Sequence, residues 1–118
     1  MTDKKWEIIY YKTLQGKSPV LEFINSLEAK AKSKIIDTFD LLTEFGIKLG
    51  APHAKKLTGT ELWELRILGG NSLRIFYVTI SGKKFLLLHG FQKKTQKTEI
   101  KEIKTAINRL RDYKDRQN

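Results

Sequence analysis

Residues 62–91 read LWELRILGGNSLRIFYVTISGKKFLLLHGF and contain three short strand-like runs. These runs are rich in β-branched and aromatic residues, which favour strands. In chain order they cover residues 62–68, 73–80 and 85–91. The two connections, Gly69-Gly70-Asn71 and Ser81-Gly82-Lys83, have the length and glycine content typical of hairpins. The segment therefore predicts an antiparallel meander of three neighbouring strands.

One strand and two helices are predicted before this meander. Residues 5–11, KWEIIYY, have strand composition. Ser18 and Pro19 form a helix-start signal, because a hydroxyl can cap free amides and proline suits the first helical position. Apolar residues follow them at the spacing of one helix face, and a second amphipathic helix is predicted from about Lys32 to Phe45.

After the meander, a polar stretch leads into a last amphipathic helix from about Thr98. The predicted order is β-α-α-β-β-β-α, a single α+β domain over residues 1–118. Two N-terminal helices and a C-terminal helix pack on its sheet. Strand alternation places Trp63, Leu65 and Ile67 toward the core and leaves Glu64 and Arg66 on the other face. The central run, 73–80, is apolar on both faces, so its pattern leaves the direction of Arg74 open.

The composition excludes several classes of protein. The 118 residues include no cysteine, which excludes disulfides, thiolate zinc sites and cysteine nucleophiles. No apolar run approaches the roughly 18 residues needed to span a membrane, and the N-terminus lacks a signal-peptide pattern. We therefore expect a cytoplasmic protein with no membrane association.

Positive charge is concentrated in the second half of the chain. Residues 1–50 carry eight basic and seven acidic side chains, whereas residues 51–118 carry fifteen and six. Such an excess favours a polyanionic partner, above all nucleic acid. A lysine-rich surface that only maintains solubility is the alternative.

The sequence lacks the common catalytic motifs. It has no glycine-rich phosphate loop, no paired carboxylates and no HExxH, and His53 and His89 are isolated. We therefore expect neither a metal nor a cofactor. What remains is a set of cations interleaved with Trp63, Tyr77 and Phe91; the cations are Lys55, Lys56, Arg66, Arg74, Lys93, Lys94 and Lys97.

Such a cationic set could cleave RNA without a metal. RNA carries its own nucleophile, the 2′-hydroxyl, next to the scissile phosphate. Arginine side chains could bind the phosphate oxygens in a bidentate manner, and a lysine among other cations could transfer protons. Each group also has a plainer interpretation. Arg66 could lie on a solvated face beside Glu64, His89 could be a hydrogen-bonded residue at the core edge, and Phe91 could simply pack.

Four stretches together resemble a known family. SPVLEFINSL, AKKLTGTELWELRI, LRIFYV and LLLHGFQKKTQKTEIKEI, in this order from Ser18 onward, are similar to phage-derived Gp49-like proteins of the HigB branch of the RelE/ParE toxin superfamily. The likeness covers about 100 residues of the 118. It implies a RelE-like fold with a curved, mainly antiparallel sheet.

The resemblance also implies a function. It points to the toxin of a type II toxin–antitoxin pair, an endoribonuclease that cuts mRNA in the ribosomal A site and is neutralised by a HigA-type helix-turn-helix antitoxin. The catalytic positions implied are Arg66, Arg74, Lys93 and Lys94. The RNA-binding positions implied are Lys55, Lys56, His89 and Phe91. Lys97 is added as an RNA-binding candidate because it belongs to the lysine cluster that precedes the last helix. A ParE-like inhibitor of DNA gyrase and a non-catalytic RNA-binding protein remain alternatives.

Overall fold

The computed structural model describes residues 5–97 and 100–117, which form an α+β structure. The described part of the chain contains five strands and three α-helices. The strands are β1 (Glu7–Tyr10), β2 (Ala54–Lys56), β3 (Trp63–Arg66), β4 (Leu73–Ile80) and β5 (Lys84–Gln92). The helices are α1 (Pro19–Asn25), α2 (Ala29–Phe45) and α3 (Ile100–Gln117).

The five strands form one mixed, open sheet in the order β1-β5-β4-β3-β2. The β3-β4-β5 meander is confirmed, because both of its pairings are antiparallel. At one edge β1 runs parallel to β5, and at the other edge β2 pairs antiparallel with β3. The long central strand β4 thus lies in the middle of the sheet.

Helices cover both faces of the sheet. On one face, α1 and α2 contribute residues such as Ile24 and Leu42 to a core that includes Ile75 of β4. On the other face, Leu110 of α3 packs in a second core that includes Phe76. The apolar character of β4 on both sides follows from this three-layer arrangement. None of the helices in the described ranges combines the length and the hydropathy that a membrane span requires.

Three local features differ from the sequence predictions. The short strand β2 was not predicted, because three residues are too few to display alternation. Helix α2 begins at Ala29 rather than near Lys32, since the preceding residues Ala29–Ala31 are themselves compatible with a helix. Helix α1 begins at Pro19 as predicted, but the hydroxyl of Ser18 makes no cap hydrogen bond within the described chain. The predicted start of the last helix, Thr98, lies outside the described residues.

A β-bulge in β5 changes which side chains face α3. Phe76 pairs with His89 and Tyr77 pairs with Leu87, so Leu88 is the extra residue in the register. An extra residue of this kind reverses the alternation beyond it. Consequently both Leu88 and His89 lie on the α3 side of the sheet.

Candidate functional site

Cationic side chains from neighbouring strands meet on the α3 side of the sheet. Arg66 of β3 pairs directly with Arg74 of β4, and Lys55 of β2 lies opposite Glu64. A cleft of about 690 Å³ lies beside them. Its lining includes Lys55, Lys56, Glu64, Arg66, Lys93 and Lys97, and we call it the cationic cleft.

The connection of residues 93–97 separates the cationic cleft from two further hollows. The aromatic hollow, of about 310 Å³, is lined by Phe91, Lys94 and Lys101 among others. The outer hollow, of about 540 Å³, includes Arg74, Lys93 and Lys94. Lys93 lines all three spaces. Its backbone amide donates a 2.8 Å hydrogen bond to the carbonyl of Ser72, which fixes the connection against the start of β4. The structure thus brings Arg66, Arg74, Lys93 and Lys94 together.

A buried carboxylate lies between the two arginines. The Nε atom of Arg66 donates a 3.2 Å hydrogen bond to Oε1 of Glu64. The Nε atom of Arg74 lies 3.6 Å from the same oxygen, close enough for an ion pair but too long for a hydrogen bond. The Glu64 side chain is only 5% exposed, against 32% for Arg66 and 17% for Arg74. The arginines therefore reach solvent and the carboxylate does not.

Sequence reasoning placed Glu64 on the face away from the first core but gave it no role. The available signal was its spacing, because residues two apart on a strand share a face, and Glu64 and Arg66 are such a pair. The direction of Arg74 was left open by its pattern. The structure places Arg74 on the same face, where its Nη1 also donates to the carbonyl of Leu73 at 3.1 Å.

His89 is enclosed by a hydrogen-bond network from α3. Its Nε2 lies 2.9 Å from Oε1 of Glu102, and its Nδ1 lies 3.2 Å from Nη1 of Arg109. Because a guanidinium can only donate, Nδ1 accepts and Nε2 carries the proton of a neutral ring. Burial lowers the pKa of His89, and the charge of Arg109 adds to this, while Glu102 opposes it. Both ring nitrogens are therefore engaged by the protein.

The aromatic residues separate into two groups. Phe91 is 6% exposed; its ring stacks on His89 with centroids 5.4 Å apart and contacts Phe76. It still contributes to the lining of the aromatic hollow. Trp63 and Tyr77 instead face the α1 and α2 side, so they lie away from the cationic cleft. The RNA-binding roles of His89 and Phe91 stay predictions.

The remaining candidates lie at the edges of the cleft. Lys55 and Lys56 are exposed on β2, and Lys56 donates a 2.8 Å hydrogen bond from Nζ to the carbonyl of Thr60. Lys97 is exposed at the end of the 93–97 connection. His53 lies in the turn before β2, as expected for a loop residue, and its carbonyl accepts a hydrogen bond from the amide of Arg66.

A family model described as "Phage derived protein Gp49-like (DUF891)" matches residues 22–111. This range includes β2 to β5, the whole 93–97 connection and every candidate site residue. A search of curated proteins finds no match to the chain.

Proposed function

Because the chain belongs to the family of phage-derived Gp49-like proteins, which are toxins of the RelE/HigB type, we propose that it is the toxin of a type II toxin–antitoxin pair. The proposed activity is cleavage of mRNA in the ribosomal A site, in the cytoplasm. The proposed partner is a helix-turn-helix antitoxin of the HigA type. In the same proposal, the open sheet with helices on both faces is a RelE-like fold.

One observation carries the ribonuclease proposal. Arg66 and Arg74 are directly paired on neighbouring strands, and Lys93 lines spaces shared with each of them. Guanidinium forks suit two oxygens of one phosphate, and a nearby ammonium group adds charge that a phosphorane-like transition state requires. Cations from separate elements thus converge where a single sugar–phosphate link could be held.

The proposed reaction is a transesterification through the RNA itself. The 2′-oxygen attacks the neighbouring phosphorus, the bond from phosphorus to the 5′-oxygen breaks, and a 2′,3′-cyclic phosphate forms. Arg66 and Arg74 orient the phosphate and stabilise its additional negative charge. The 2′-hydroxyl proton passes to a base and the leaving 5′-oxygen takes a proton from an acid, so that no net proton is consumed. Lys93 or Lys94 assists as base or acid in this transfer and balances charge.

The proposed RNA path extends from this centre along the cationic cleft. Lys55, Lys56 and Lys97 supply exposed ammonium groups for flanking phosphates. The edge of Phe91 in the aromatic hollow offers an apolar surface to a base. Binding through these residues should weaken steeply as salt concentration rises.

The test is a ribosome-dependent cleavage assay on a defined mRNA, in which primer extension maps the new ends. We expect the wild-type protein to cut the mRNA and Arg74→Ala to lose cleavage. Lys30→Ala is the control, because Lys30 is exposed on α2, the helix that packs on the opposite face of the sheet. It should cut as the wild type does.

Other results would replace the proposal. Intact mRNA together with DNA breaks in expressing cells would indicate a gyrase inhibitor. RNA that is bound with strong salt dependence but never cut would indicate a non-catalytic binding protein. Cleavage by Arg74→Ala at the wild-type rate would remove Arg74 from the site.

A further inference from the structure

We infer that Glu64 is a positioning residue, whose buried carboxylate holds the guanidinium groups of Arg66 and Arg74 side by side so that both can face one RNA phosphate. The inference rests on the proposed function and deepens it. Glu64 is not expected to touch the RNA phosphate, since two negative groups repel each other. It acts through the arginines.

The direct pairing of Arg66 with Arg74 brings two positive charges close together. Arg66 and Arg74 occupy directly opposite positions on β3 and β4. Like charges at such positions repel and destabilise the pairing. Glu64 Oε1 lies 3.2 Å from one Nε and 3.6 Å from the other, so a single oxygen offsets both charges.

The carboxylate of Glu64 is more deeply buried than the two guanidinium groups that it contacts. Its side chain is 5% exposed, whereas both arginines retain more contact with solvent. Ion pairs that are shielded from water are stronger and less screened by salt than pairs on the surface. The negative charge thus lies beneath the guanidinium groups, and the exposed side of the pair is cationic.

Glu64 lies next to the Nε atoms of the two arginines and leaves their terminal nitrogens to other partners. The carboxylate accepts a hydrogen bond from Nε of Arg66 and lies at ion-pair distance from Nε of Arg74. In each arginine, Nε is the nitrogen that joins the guanidinium group to the rest of the side chain. Within the described residues, the terminal nitrogens of Arg66 have no hydrogen-bond partner, while one of those of Arg74 donates to the Leu73 carbonyl. Donors therefore remain available for phosphate oxygens, and less side-chain entropy is lost on binding because the forks are already held.

The experiment compares Glu64→Gln with Glu61→Gln, which removes the same charge from an exposed ion pair with Lys114. The probe is a fully 2′-O-methylated oligoribonucleotide, which cannot be cleaved. We expect Glu64→Gln to bind it only a few-fold more weakly, because both arginines keep their charge, and to cleave mRNA about 10- to 100-fold more slowly, because the arginines lose their fixed orientation. Glu61→Gln should bind as the wild type does.

A pH–rate profile separates positioning from direct catalysis. If Glu64 only positions the arginines, Glu64→Gln lowers the cleavage rate but leaves the shape of the profile unchanged. Loss of the acidic limb with unchanged binding would identify Glu64 as a general base and overturn the inference. Unchanged binding and unchanged rate would overturn it as well.

A measurement on the wild-type protein covers the case in which Glu64→Gln does not fold. Arginine Nε–Hε signals can be followed by NMR while the methylated RNA is added. We expect the Nε–Hε signals of Arg66 and Arg74 to shift little and their terminal Nη signals to shift strongly. Equal shifts at Nε and Nη would contradict the inference that Glu64 holds the Nε side of each guanidinium while RNA binds the Nη side.

The failure of this inference can be distinguished from failure of the proposed function. A wild-type protein that cuts mRNA together with a Glu64→Gln variant of equal affinity and rate would overturn the positioning role alone. A wild-type protein that never cuts mRNA, but whose RNA affinity depends on Glu64, would overturn the ribonuclease and retain the positioning role.

Discussion

Replacing Arg74 with lysine tests whether its shape or only its charge is needed. The substitution keeps the net charge at +10, but it replaces a planar fork with a single ammonium group. Arg74 is 17% exposed, its Nε faces Glu64 at 3.6 Å, and its Nη1 contacts the Leu73 carbonyl at 3.1 Å. A lysine ammonium cannot engage these inner partners and the phosphate in the same geometry.

The magnitude follows from the contact that is lost. A hydrogen bond to a charged group contributes about 1.5–3 kcal/mol. If Arg74→Lys loses one such bond in the transition state, cleavage should slow roughly 10- to 150-fold. Binding of uncleavable RNA should fall by much less, because the long-range charge is retained.

The assay measures single-turnover cleavage on saturated ribosomes beside RNA affinity and the urea midpoint. Arg111→Lys is the matched control, since Arg111 is exposed on α3 and does not line the cationic cleft. A wild-type cleavage rate in Arg74→Lys would refute the argument from fork geometry. Weaker RNA affinity with an unchanged rate on saturated ribosomes would show that Arg74 contributes to binding rather than to the transition state.

Further predictions concern packing, pH and salt. In Gly90→Ala the new Cβ would lie 2.5 Å from the ring of Phe23, so the free energy of unfolding measured in urea should fall by about 1–3 kcal/mol. Burial lowers the pKa of His89 below 6.5 in the folded protein; the unfolded chain then binds more protons just below that pH, and stability should fall on acidification through this window. The fall in urea midpoint should be smaller in His89→Gln. In Lys93→Ala, the slope of log affinity for single-stranded RNA against log salt should decrease by about 0.7, as expected for one lost phosphate contact.

The elements that the sequence predicted well have strong local signals. Glycine-containing connections at 69–71 and 81–83 separate the strands of the meander, and Pro19 marks the start of α1. Alternation correctly placed Leu65 and Ile67 in the core. These features depend on neighbours in the chain, so a single sequence displays them.

The features that were missed depend on contacts between distant residues. The three residues of β2 become a strand only because β3 provides an edge to pair with. No residue type in the sequence of β5 marks the bulge at Leu88, yet the bulge turns His89 toward α3. Glu64 resembled an ordinary surface acid, and its burial results from packing on that side of the sheet.

The candidate site illustrates the same division. The residue types and the resemblance were enough to select Arg66, Arg74, Lys93 and Lys94 as a set. They were not enough to predict that one carboxylate oxygen would lie within 3.6 Å of both arginine Nε atoms. Pair geometry across strands requires the register, and a sequence pattern specifies register only loosely.

The parallel pairing of β1 with β5 has a consequence for synthesis of the chain. Residues 7–10 acquire their strand partners only once residues 84–87 have been made. The 93–97 connection and α3, which complete the lining of the cationic cleft, follow later still. The cleft therefore cannot be completed before residue 97 has been made, and a nonsense codon after residue 92 would yield a chain that contains the sequences of all five strands but lacks Lys93, Lys94 and Lys97.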